Sequence, residues 1–101
     1  MDDGSAVRPP EQPGLIFFFS GSSGICRRVE GFLAQVLQRR ANHNTFKVYT
    51  VDIDKHPELA KRFRVNATPV ICVIENKTQK ARLDLPKSSR DIERFLTPWL
   101  H

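Results

Sequence analysis

Ser23-Gly24-Ile25-Cys26 sets a hydroxyl and a thiol three positions apart, just after an apolar run and a Ser/Gly-rich turn. Two thiols at this spacing exchange reducing equivalents with a disulfide, whereas one alone forms a mixed disulfide or stays silent. Position 23 carries serine, and a serine hydroxyl without an adjacent base does not attack disulfides. Ser23 does suit the start of a helix, with its hydroxyl accepting from the backbone N–H of Cys26. Cys26 has two readings. A helix N-terminus with Arg27 and Arg28 beside it favours a thiolate, while its spacing with Val29 and Phe32 favours a packed, inert thiol. Cys72, between Ile71 and Val73, reads as core and is badly placed to pair with Cys26. His43, His56 and His101 form no ligand spacing with a cysteine, so neither a metal site nor a cofactor is expected.

Composition bounds the setting of this thiol. A chain of 101 residues suits one domain with one modest core. Two cysteines make no disulfide framework, and a reducing cytoplasmic setting is expected. No signal-peptide pattern follows the acidic start Met1-Asp2-Asp3, and the apolar run Leu15–Phe19 is too short to span a membrane. The formal charge is +5, and because residues 1–14 hold Asp2, Asp3 and Glu11 against Arg8, the remainder carries +7. Its cations are spread over every element, and no recognition motif or interleaved aromatic pattern accompanies them. A solvated basic surface is therefore expected rather than a nucleic-acid site.

The elements that must position the thiol follow from periodicity. Residues 1–14, with Pro9, Pro10 and Pro13 and few apolar side chains, read as a disordered tail ahead of a domain over 15–101. Leu15–Phe19 is apolar without alternation, as in a strand covered on both faces. A helix follows, with Ile25, Val29, Phe32, Leu33, Val36 and Leu37 at spacings of three and four, closed by Asn42 and Asn44. Phe46–Ile53 reads as a second strand and Pro57-Glu58 as the first turn of a short helix with Leu59 and Phe63 inward. After Asn66-Ala67-Thr68-Pro69, Val70–Ile74 is a buried strand. A turn at Asn76-Lys77-Thr78 returns Gln79–Leu83 antiparallel to it. Ser88 and Asp91 suggest a capping box on a last helix, whose inward stripe is Ile92, Phe95, Leu96 and Trp99, with Pro98 interrupting its end.

This order of elements, with Ser23-Gly24-Ile25-Cys26-Arg27, Val51-Asp52-Ile53-Asp54, Pro57-Glu58-Leu59-Ala60 and Phe63-Arg64-Val65-Asn66-Ala67-Thr68-Pro69, resembles the thioredoxin family over residues 15–100. The resemblance implies an α/β, three-layer α/β/α sandwich on a four-stranded mixed sheet, and a cis bond before Pro69 facing the Ser-x-x-Cys turn. It also implies what has changed. The family's attacking cysteine falls on Ser23, the aromatic before it on Ser22, its proline on Ile25, and its buried acid on Phe17. No family-type strand–helix unit is expected ahead of Leu15, which would make the strand 46–53 an edge, covered by the tail or by a second copy.

Two functions follow from the resemblance. In the first, Ser22, Gly24, Ile25, Thr68 and Pro69 line a groove that binds an extended peptide or a partner protein without dithiol turnover, the loop before Pro69 offering β-type hydrogen bonds. The alternative is a single-thiol oxidoreductase in which Cys26, beside the lost nucleophile at Ser23, forms mixed disulfides resolved by an external thiol. In either case the chain is a monomer or a homodimer through 46–53.

Overall fold

A computed structural model describes residues 12–38 and 45–100. The elements run β1 (Gly14–Phe19), α1 (Gly24–Leu37), β2 (Lys47–Asp52), α2 (Pro57–Arg62), β3 (Val70–Glu75), β4 (Thr78–Asp84) and α3 (Ser89–Leu96). The four strands form one mixed sheet in the order β2-β1-β3-β4. The β1–β2 pair is parallel, as a strand–helix–strand crossover requires. The β1–β3 and β3–β4 pairs are antiparallel.

β1 lacks alternation because both its faces are covered. Leu15 and Phe17 join a core with Val29, Leu33 and Val36 of α1 and Ile92 and Leu96 of α3. Phe18 enters a second core, with Ala60, Val65, Val70 and Cys72, on the α2 side. Three layers result, with α1 and α3 on one face of the sheet and α2 on the other. Phe63 tilts onto Phe18 across the second core, with ring centroids 5.3 Å apart.

Several element boundaries differ from those expected. β1 begins at Gly14, whose backbone pairs with both Lys47 and Ile74. Phe46 precedes β2 instead of opening it, because its ring turns into the core against Trp99 at 6.2 Å. Thr78 belongs to β4. The turn is the two residues Asn76 and Lys77, with φ of 52° and 65°, a hairpin geometry matched to strand twist.

The capping box is rearranged. Ser88 Oγ accepts from Asp91 N at 3.2 Å, while the Asp91 carboxylate accepts from Lys87 N at 3.0 Å instead of from Ser88 N. α3 ends at Leu96, so Pro98 lies beyond the ladder, in a turn where Trp99 N donates to Leu96 O at 2.9 Å. Ile25 leaves the inward stripe of α1, and Cys26 takes its place there.

The expectations about Asn42, Asn44, His43 and His101, and about a tail over residues 1–11, lie outside the described residues. β2 is an edge of the sheet among the described residues. Among the described residues no helix is long and apolar enough to cross a membrane, and no group of side chains suits a metal ion.

Candidate groove and thiol site

The turn between β1 and α1 holds its shape through a short series of hydrogen bonds. Ser23 N donates to Ser20 O at 3.1 Å, which closes the turn. Ser23 itself is extended, at φ −96° and ψ 120°, and its Oγ accepts from Cys26 N at 3.2 Å. This is the N-cap expected of it, and it satisfies one orphan donor of the first helical turn.

Cys26 follows at the third helical position, where the helical period points its side chain inward. It is 2% exposed, and its sulfur accepts from Ser20 N at 3.5 Å. Phe17, Phe19, Ser20, Gly21, Ser23, Cys26, Arg27 and Glu30 enclose a cavity of about 70 Å³ beneath the turn. Phe17 contributes an apolar wall to this cavity and is 1% exposed. Both cysteines are free thiols. Cys72 packs on the α2 face of the sheet and Cys26 beneath α1, which keeps them apart. Burial pushes the Cys72 thiol up to about 11, with Arg82 opposing that shift and Asp84 adding to it.

A polar network that sequence reasoning missed ties the turn to the end of β2. Ser20 Oγ donates to Asp54 Oδ2 at 2.8 Å and lies 3.3 Å from Ser22 Oγ. Asp54 N in turn donates to Asp52 Oδ1 at 2.9 Å. Gly21 sits against the same group, since a Cβ there would lie 3.1 Å from Asp52 Oδ2. Asp52 and Asp54 stand out in sequence only as parts of the Val51-Asp52-Ile53-Asp54 motif; the contact of Asp54 with Ser20 spans 34 positions and leaves no local signal.

On the other side of the turn lies a groove of about 530 Å³, lined by Ile25, Arg28, Val29, Ala67, Thr68, Pro69, Leu85, Pro86 and Lys87. The Thr68–Pro69 peptide bond is cis. Thr68 N–H and C=O make no hydrogen bond among the described residues, so both remain available at the groove wall. Ile25 is 62% exposed and Leu85 47% exposed, which makes two apolar side chains standing in water at the groove.

Leu85 holds φ at 51°, a left-handed conformation that costs a branched side chain of order 1 kcal/mol. Its N–H donates to Pro69 O at 2.9 Å, which anchors the strained residue beside the proline loop. Nothing in the sequence pointed to Leu85, because a residue before proline is biased toward extended conformations.

The expected site residues therefore divide between two places. Ile25, Thr68 and Pro69 meet in the groove, while Ser23 and Cys26 line the small cavity under the turn. Ser22 and Gly24 are exposed on the turn and line neither space. Cys26 is separated from the groove by its burial, so groove binding and thiol chemistry are not one surface in this state.

A sequence model of the thioredoxin family matches residues 4–98. Over 42 residues the chain is 45% identical to thioredoxin 2 of Plasmodium falciparum, a stretch covering 42% of this chain. That match spans only 27% of the curated relative's length. Among solved structures, thioredoxin-2 described as a component of malaria parasite protein secretion machinery superposes with a TM-score of 0.75 at 25% identity, covering 86% of this chain and 82% of that one. Trxlp from Edwardsiella tarda gives 0.75 at 21% identity, over 84% and 82% of the two chains. The germline-specific thioredoxin Deadhead of Drosophila melanogaster gives 0.77 at 16%, over 88% and 82%.

Proposed function

The chain belongs to the thioredoxin family, and on that premise we propose that it binds an extended protein segment in the groove without dithiol–disulfide turnover. The observation that carries this reading is the pairing of an open apolar groove with unbonded Thr68 N–H and C=O groups at its wall. An extended segment laid there gains main-chain hydrogen bonds from Thr68 and side-chain contacts from Ile25, Leu85 and Pro86, a mode that needs no thiol. Turnover needs a second sulfur. Ser23 spends its hydroxyl on the helix cap, and the space that would serve a proton-transferring acid is filled by the Phe17 ring. The degenerate chemistry and the binding role are thus two aspects of one reading. No cofactor or metal enters it.

One observation favours a second reading, a single-thiol oxidoreductase. Ser20 N–H is directed at the Cys26 sulfur, at the N-terminus of a helix of 14 residues. In that chemistry the Cys26 thiolate attacks a substrate disulfide and releases one thiol. An external thiol then resolves the mixed disulfide. The burial of Cys26 argues against it, since the sulfur must first be uncovered.

Pull-downs under nonreducing conditions separate the two. A partner kept by Cys26→Ser and lost by Ile25→Ser is the expected result. Adducts abolished by Cys26→Ser and released by reductant would overturn the binding reading in favour of the thiol.

A further inference from the structure

We propose that the groove selects segments in which an apolar residue is flanked by acidic ones, an inference that rests on the groove-binding reading above. The floor and rims of the groove are apolar: Ile25, Val29, Pro69, Leu85 and Pro86. Its only charged lining residues are Arg28 and Lys87, with no carboxylate among them. The two cations come from separate elements, Arg28 from α1 and Lys87 from the loop before α3, so they stand on different parts of the rim. Neither forms an ion pair among the described residues. Of the two carboxylates nearest in the chain to Lys87, that of Asp84 pairs with Arg82 Nε, and that of Asp91 is engaged with the Lys87 backbone N–H at the first turn of α3. Arg27, by contrast, lines the small cavity together with Glu30, so the charge in the groove remains with Arg28 and Lys87.

The geometry of an extended chain turns this into a pattern. Side chains alternate faces, so a residue directed between Ile25 and Leu85 leaves its neighbours directed to the rims, about 3.3 Å along per residue. Carboxylates at those neighbouring positions meet Arg28 and Lys87, while basic ones meet like charge. Exposed ion pairs contribute little individually, and two of them amount to roughly a 3- to 20-fold preference at low ionic strength, which salt screens.

Fluorescence anisotropy with three labelled peptides sharing one apolar centre tests the inference. Their flanks are glutamate, glutamine or lysine, and the full chain is titrated at low and at high salt. The expected result is a glutamate-flanked peptide binding roughly 3- to 20-fold tighter than the glutamine-flanked one at low salt, with the two converging at high salt. Arg28→Gln/Lys87→Gln removes the difference between the glutamate- and glutamine-flanked peptides. Equal binding of all three peptides, or a preference for lysine, overturns the charge inference and leaves the groove reading standing. Binding that survives Ile25→Ser/Leu85→Asn undiminished, or no binding by any peptide, overturns both.

Discussion

The proposed absence of dithiol turnover is tested by asking whether a second thiol alone, or a second thiol with a buried acid, creates it. The perturbation is Phe17→Asp combined with Ser23→Cys, which returns an acid and a second thiol to the family's positions. Phe17 is 1% exposed and stacks on Phe19 with centroids 5.9 Å apart. Truncating a buried phenylalanine costs about 3–5 kcal/mol, and leaving a carboxyl without partners in that space adds about 1–3 kcal/mol. The cavity of about 70 Å³ beside it admits water to the new carboxyl, which sets the lower end of that range. The sum is about 4–8 kcal/mol, against a total stability of about 5–15 kcal/mol for a domain of this length. Phe17→Asp should therefore bring the chain close to unfolding. Urea denaturation followed by Trp99 fluorescence measures this, since Trp99 is the single tryptophan and packs on Phe46. At a slope of about 1–3 kcal/mol per molar urea, the midpoint falls by about 1 M or more. Ser23→Cys alone should keep the fold and show negligible disulfide reductase activity against insulin. If Phe17→Asp costs less than about 1 kcal/mol, or the double variant folds and reduces insulin at a thioredoxin-like rate, the argument that the core has closed over the old mechanism fails.

Two further outcomes follow from the buried Cys72 and the half-buried Arg82. The Cys72 thiol is pushed up from 9.0 to about 11, so the folded state holds its proton more tightly than the unfolded chain does. That contribution is complete below pH 9 and is lost as pH rises toward 11, removing about 2–3 kcal/mol of stability. Cys72→Ala should flatten the pH dependence in that window relative to the native chain, measured by urea midpoints across it. The Arg82 guanidinium donates to Phe63 O and Arg64 O at the end of α2, and its Nε to Asp84 Oδ1 at 2.6 Å. An ammonium cannot span those acceptors, so Arg82→Lys should cost about 1–2 kcal/mol and speed amide exchange most at residues 60–65.

Most of the fold was legible because it is written in local periodicity. The unalternating run Leu15–Phe19 declared a strand covered on both faces, and two helix cores supply that cover. The cap at Ser23 and the cap at Ser88 were legible because each acts within one helical turn. Boundaries were missed where a long-range contact overrode local preference. Phe46 leaves its strand to reach Trp99, and Ile25 leaves its apolar stripe for the groove rim. Half of the groove was equally hidden. Thr68 and Pro69 were found through a motif, whereas Arg28, Leu85 and Lys87 carry no mark until the chain brings α1 and the loop before α3 against the proline loop.

What the sequence determined by itself is the type and order of the elements, the single thiol in the turn, and the family to which the chain belongs. These depend on residues within a few positions of one another and on their spacing. Only the tertiary structure decided that β3 runs antiparallel to β1, that Cys26 is buried on one side of the turn, and that the groove opens on the other. Those features arise where segments about 40 to 60 positions apart meet, as Ile25 meets Pro69 and Leu85. Their physical cause is burial: the helical period that sends Cys26 into the core sends its neighbour Ile25 outward, into the groove.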